Sequence, residues 1–153
     1  MTAATNPAAP LDPSQLFGFP LDDFQLEAIA ALNHGHSVVV SAPTGSGKTL
    51  IGEYAIHRAL AHGQRVFYTT PLKALSNQKL RDFREQFGAH RVGLMTGDLT
   101  ANREAPIVVM TTEIFRNMLY AEIDHSDAPL EGVEAVLRKS CLVLSTSPLI
   151  QQH

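Results

Sequence analysis

Apolar positions along this chain switch between two periods. Over residues 22–35 they recur at helical spacing: Phe24, Ala28, Ile29 and Leu32 share one side, Asp22 or Asp23 is placed to cap the start, and Asn33-His34-Gly35 to end it. Ser37-Val38-Val39-Val40-Ser41 is a short β-branched run that predicts a buried strand. A second helical stretch runs from Leu50 to His62, with Leu50, Ile51, Tyr54, Ala55 and Leu60 in phase and Gly63 closing it. Arg65–Thr70 predicts a strand ended by Pro71. Leu72–Phe87 predicts a helix stopped by Gly88, with Leu75, Leu80, Phe83 and Phe87 inward and Lys79, Arg81, Arg84 and Glu85 mostly outward. A short strand over 91–95 and another over 107–110 follow, then a helix from about Thr112 to Ala121. A polar loop over 124–132 precedes a last candidate strand at 133–137.

Short, nearly continuous apolar strands alternating with amphipathic helices predict an α/β fold, its mostly parallel sheet covered on both faces. Bundles and sandwiches fit poorly, because the period switches too regularly. At 153 residues and 44% hydrophobic the chain has the size of one domain. Residues 1–14 are expected to be a disordered leader; the first ten lack the basic start and apolar stretch of a signal peptide. A net charge of -3 gives no global basic signal, so a nucleic-acid partner would need a local patch, backbone amides or helix ends. Cys141 is the single cysteine, which excludes a disulfide framework and points to a reducing, cytoplasmic setting. Apolar runs fall well short of the roughly 20 residues of a membrane helix, and no membrane association is expected. The seven histidines show no close ligand spacing.

Between the predicted strand at 37–41 and the helix after it stands Ala42-Pro43-Thr44-Gly45-Ser46-Gly47-Lys48-Thr49. A strand, a glycine-rich loop and a helix in that order place successive N–H groups where phosphate oxygens accept them. Thr44, Gly45, Ser46 and Gly47 are expected to cradle the phosphates, with glycine where a side chain would block close approach. Lys48 would reach the β- and γ-phosphates, and the Thr49 hydroxyl would ligate Mg²⁺. Ala42 stands where the strict pattern has glycine. Gln25, on the preceding helix, offers a donor and an acceptor that complement an adenine edge, or it is an exposed helix glutamine. Phe17 and Phe19 stack on a base or plug the fold.

Several segments together resemble the superkiller-type DExH-box RNA helicases of superfamily 2, in the first RecA-like domain. Phe24-Gln25-Leu26-Glu27-Ala28-Ile29 resembles the family's adenine-side segment and Ala42–Thr49 its phosphate loop. Thr70-Pro71-Leu72-Lys73-Ala74-Leu75-Ser76-Asn77-Gln78-Lys79, Thr96-Gly97-Asp98 and Met110-Thr111-Thr112-Glu113-Ile114-Phe115-Arg116-Asn117-Met118-Leu119 are similar to its nucleic-acid motifs. The likeness covers residues 15–137. It implies an incomplete P-loop NTPase of RecA-like α/β/α architecture that binds ATP with Mg²⁺ and moves along single-stranded RNA. Lys48 and Thr49 would then serve catalysis, with Thr49 the metal ligand. Thr70, Pro71, Lys73, Thr96, Gly97, Thr111, Thr112 and Glu113 would contact the RNA backbone. For each threonine the alternative is a cap on the next helix.

The likeness stops after Val136-Leu137. There the family carries Asp-Glu-x-His, whose carboxylates order Mg²⁺ and polarise the attacking water. Here Arg138-Lys139-Ser140-Cys141 stands instead, and no Asp or Glu follows Glu134. Two cations cannot ligate Mg²⁺. Residues 138–153 read as a divergent tail, in which Leu142-Val143-Leu144-Ser145-Thr146-Ser147 is a candidate strand. The expectation is a chain truncated before that motif and without the second RecA-like domain, binding ATP with little or no turnover and open to self-association through an uncovered sheet edge. The alternative is a non-enzymatic nucleotide- or RNA-binding remnant. A small-molecule kinase is disfavoured, because no lid or acceptor constellation follows.

Overall fold

The computed structural model describes residues 11–43, 45–124 and 140–144. They form two compact units divided between Gly63 and Gln64. Thr44, the predicted strand at 133–137 and the Arg138-Lys139 pair lie outside the described residues.

The first unit is helical: α1 (Pro13–Phe17), α2 (Asp23–Asn33) and α3 (Lys48–Ala61). Asp22 caps α2, and Gln25 returns the favour by accepting the Asp22 N–H through Oε1 at 2.9 Å, a capping-box arrangement. Ile29, Leu50 and Tyr54 make the core, with Leu11, Leu16, Phe17, Leu21 and Leu32 packed around them. The Tyr54 ring is wholly buried, and its hydroxyl finds Asn33 Oδ1 at 2.8 Å and the Leu11 carbonyl at 3.1 Å. On α3 the buried set includes Ile56 and Ala59, whereas Ala55 and Leu60 are half-buried. Phe17 is a plug, 6.2 Å from the Phe19 ring and edge-on to His57 at 6.5 Å; Phe19 is exposed.

The predicted strand at 37–41 does not form. Those residues join no ladder among the described residues, and Val39 is 97% exposed. β-Branched composition favours extended backbone, but a strand also needs a neighbour to take its N–H and C=O groups.

The second unit carries one sheet in the order β3-β2-β4-β1-β5. Its strands are β1 (Arg65–Thr70), β2 (Val92–Met95), β3 (Thr100–Ala101), β4 (Ile107–Thr111) and β5 (Ser140–Leu144). All pairings are parallel except β2 with β3, a short antiparallel return absent from the sequence expectations. The tail does supply a strand, beginning two residues before the predicted one: β5 lies beside β1 with Val66 opposite Cys141. Helices α4 (Lys73–Phe87) and α5 (Thr112–Asp124) cover opposite faces. Alternation in β1 shows this directly, since side chains i and i+1 point to opposite faces. Phe67 clusters with Val108, Met110 and Phe115 of α5, whereas the Tyr68 ring meets Phe83 of α4 edge-on at 4.9 Å. The result is an α/β/α sandwich around a mostly parallel sheet.

Two details depart from the periodic reading of α4. Ser76 is buried, while Leu75, Leu80 and Phe87 are half-buried. Lys79 is not a solvated outer residue: its ammonium lies 5.9 Å from the Tyr68 ring centroid and 5.7 Å from that of Phe83. Gly93 answers to a close approach. A Cβ there would run into the backbone carbonyl of Asn102, because the chain leaving β3 crosses directly over it.

Candidate functional site

In the first unit, the glycine-rich loop turns on Gly45 and Gly47, whose φ angles of 82° and 89° are open to glycine at little cost. The Ser46 N–H and hydroxyl both donate to the Pro43 carbonyl, at 3.2 and 2.5 Å, and fold the loop on itself. Gly47 is the N-cap of α3, and no side chain caps that end. The first-turn N–H groups therefore face outward with the positive end of the helix dipole. Lys48 is half-buried and Thr49 exposed on that first turn. This end of α3 fits an anionic oxygen cluster. For a divalent ion the donor set is thinner. Thr49 offers one hydroxyl, and among the described residues no group of three or more His, Cys, Asp or Glu could hold a metal.

Gln25 is 5% exposed, so it is no surface glutamine. Its Nε2 donates to the Gly47 carbonyl at 3.1 Å, and its Oε1 is taken by the Asp22 N–H. The amide thus holds the start of α2 and the Gly47 carbonyl together.

In the second unit, three strand ends meet in an open cleft of about 480 Å³. Pro71, Leu72 and Lys73 follow β1, Gly97 and Asp98 follow β2, and Thr111 and Glu113 lie at the join of β4 and α5. Carboxyl ends of parallel strands are where open α/β sheets place their ligands. Five residues expected to touch nucleic acid (Pro71, Lys73, Gly97, Thr111 and Glu113) line this one cleft.

The other three do not line the cleft, and each makes hydrogen bonds within the fold. Thr70 is buried; its hydroxyl bonds the Leu72 carbonyl at 2.9 Å and Ser76 Oγ at 2.6 Å, tying β1 to the start of α4. Thr96 is buried too, with its hydroxyl 3.1 Å from Asp98 Oδ1 and 3.3 Å from the Leu99 carbonyl. Thr112 donates to the Thr70 carbonyl at 3.3 Å and links the ends of β1 and β4.

Sequence reasoning did not single out Asp98, which the structure places in the cleft wall. Its carboxylate pairs with Lys73 through Oδ2 and takes the Thr96 hydroxyl through Oδ1. Hydrogen bonding from Lys73, then from Thr96, holds the Asp98 carboxyl below its ordinary value. The pair spans 25 residues, beyond any local spacing rule. The carboxylate two places after a strand-end threonine was the one local signal.

A family model described as DEAD/DEAH box helicase matches residues 22–144. The chain is 62% identical over 120 residues to the probable helicase HelY of Mycobacterium tuberculosis, covering 78% of this chain and 13% of that protein. It is 52% identical over 112 residues to the ATP-dependent RNA helicase mtr4 of Schizosaccharomyces pombe, covering 73% of this chain and 10% of that protein. It is 49% identical over 113 residues to the antiviral helicase SKI2 of Saccharomyces cerevisiae, covering 74% and 9%. The chain thus spans about a tenth of the length of these relatives. A solved structure of a hypothetical ATP-dependent RNA helicase from Sulfolobus tokodaii shares the fold, with a TM-score of 0.57 at 21% identity over 89% of this chain and 49% of that one. With a family match over residues 22–144, most of its length, the chain belongs to the DEAD/DEAH box helicases.

Proposed function

We propose that this chain is the ATP-binding part of a superkiller-type DExH-box RNA helicase, in which nucleotide binding is coupled to a grip on single-stranded RNA. The observation that carries the reading is the uncapped start of α3, reached through two glycines with positive φ and held in place by Gln25. Gly45, Ser46 and Gly47 would face the phosphates, Lys48 would neutralise their charge, and Thr49 would share Mg²⁺ with phosphate oxygens and water. Bound Mg²⁺ would supply charge neutralisation at the γ-phosphoryl group. Relatives named as an ATP-dependent RNA helicase and an antiviral helicase support the branch and the nucleic-acid class.

The chain's own chemistry favours binding over turnover. Water attack needs a carboxylate beside the γ-phosphate, and the sequence places Arg138 and Lys139 where the family has its acidic pair. Titration of the chain with a fluorescent ATP analogue and Mg²⁺ tests the first half: saturable binding, lost in Lys48→Ala, is expected. Phosphate release stimulated by single-stranded RNA at ordinary helicase rates would overturn the second half.

A further inference from the structure

The cleft at the ends of β1, β2 and β4 has the wrong charge for a simple polyanion site. Among its lining residues one cation, Lys73, stands with two carboxylates, Asp98 and Glu113. That cation is already engaged by Asp98. Asp98 does not depend on Lys73 for its position, since Thr96 Oγ1 bonds its other oxygen and the Thr96 N–H closes the turn onto the Leu99 carbonyl at 2.8 Å. The carboxylate is anchored to its own turn, and the flexible lysine comes to it.

We infer that Asp98 is an internal competitor for Lys73, so that a nucleic-acid strand enters this cleft by taking Lys73 away from Asp98. The inference rests on the RNA reading proposed above and adds a residue that sets how that strand is held. Both partners of the pair are exposed, 53% for Lys73 and 64% for Asp98, and exposed ion pairs hold their members weakly. A phosphate can therefore displace the carboxylate. The gain is small, because one anion replaces another and the released Asp98 stays beside the strand with Glu113. Backbone affinity should then come mainly from neutral donors in the cleft wall, and should change little with salt. Such a grip suits a strand that has to slide.

The opposite role is distinguishable. If Asp98 instead orients Lys73 toward the strand, removing its charge weakens binding. The test uses the full chain and a short fluorescent oligouridylate, with anisotropy read over a series of KCl concentrations for wild type, Asp98→Asn, Lys73→Ala and the double variant. Asp98→Asn is expected to tighten binding several-fold at low salt and to steepen the slope of log K against log salt by about 0.7, the increment for one more phosphate neutralised on a single strand. Compared with Lys73→Ala, the double variant should lose the steeper slope and most of the tightening, since these pass through Lys73; only the small direct repulsion of the Asp98 charge should persist. Unchanged or weaker binding by Asp98→Asn, with the wild type binding normally, overturns the competitor role alone. Absence of RNA binding by all four proteins overturns the RNA reading and this inference with it.

Discussion

Gln25 Nε2 donates a 3.1 Å hydrogen bond to the carbonyl of Gly47, joining the first turn of α2 to the residue that opens α3. The same amide takes the Asp22 N–H, so one buried side chain fixes both a helix start and the exit of the phosphate loop. Truncation to Ala leaves the Gly47 carbonyl and the Asp22 N–H without this partner. Gln25→Ala should cost about 1–3 kcal/mol in urea unfolding and weaken ATP-analogue binding, whereas an exposed glutamine on the same helix should change neither.

Gly47→Ala makes the complementary test. The residue has a φ of 89°, and a Cβ would stand 2.5 Å from Gln25 Nε2. Alanine is a poor N-cap and is strained at positive φ. Here it should destabilise the first unit and reduce nucleotide affinity, as read by calorimetry and by titration. A variant with wild-type affinity would show that the loop does not need this geometry.

In the second unit, Phe83 is buried against Tyr68 and Phe87, with ring centroids 4.9 and 5.9 Å away. Phe83→Ala should cost about 3–5 kcal/mol. Lys79→Ala, which removes only the ammonium over these rings and its stem, should cost about 0.5–1 kcal/mol. Denaturant midpoints of the two variants check the ranking.

Gly93→Ala should loosen the antiparallel return. The added methyl meets the backbone carbonyl of Asn102, which cannot swing aside as a side-chain tip can. A loss of about 1–3 kcal/mol is expected, with faster amide exchange at Thr100 and Ala101 than at β1.

Burial beside Phe17 pushes the His57 imidazole below its ordinary value. Above about pH 6.5 both folded and unfolded chains keep this ring neutral. As pH falls below that, the unfolded chain binds a proton the folded one refuses, so His57 makes stability fall with acid until its folded value is passed. Comparing unfolding at about pH 7.5 and about pH 5.5, His57→Gln should lose less stability on acidification than wild type. An equal loss in both proteins would remove His57 from the account.

Local pattern alone was enough for α2, α3, β1, α4, β4 and α5, because period, caps and glycine stops all act within a few residues. It was enough, too, for the turn through Gly45 and Gly47, both of which take positive φ. What it could not decide was partnership. Residues 37–41 have every local mark of a strand and no ladder among the described residues, while Ser140–Leu144 found a place beside β1. Ladder hydrogen bonds join residues far apart in sequence, so propensity proposes a strand and only packing accepts it. The same holds in the cleft. Thr70, Thr96 and Lys73 are visible as strand-end polar residues, but whether a hydroxyl faces solvent or Ser76, and whether a lysine is free or bound to Asp98, depends on which strand ends the sheet order brings together.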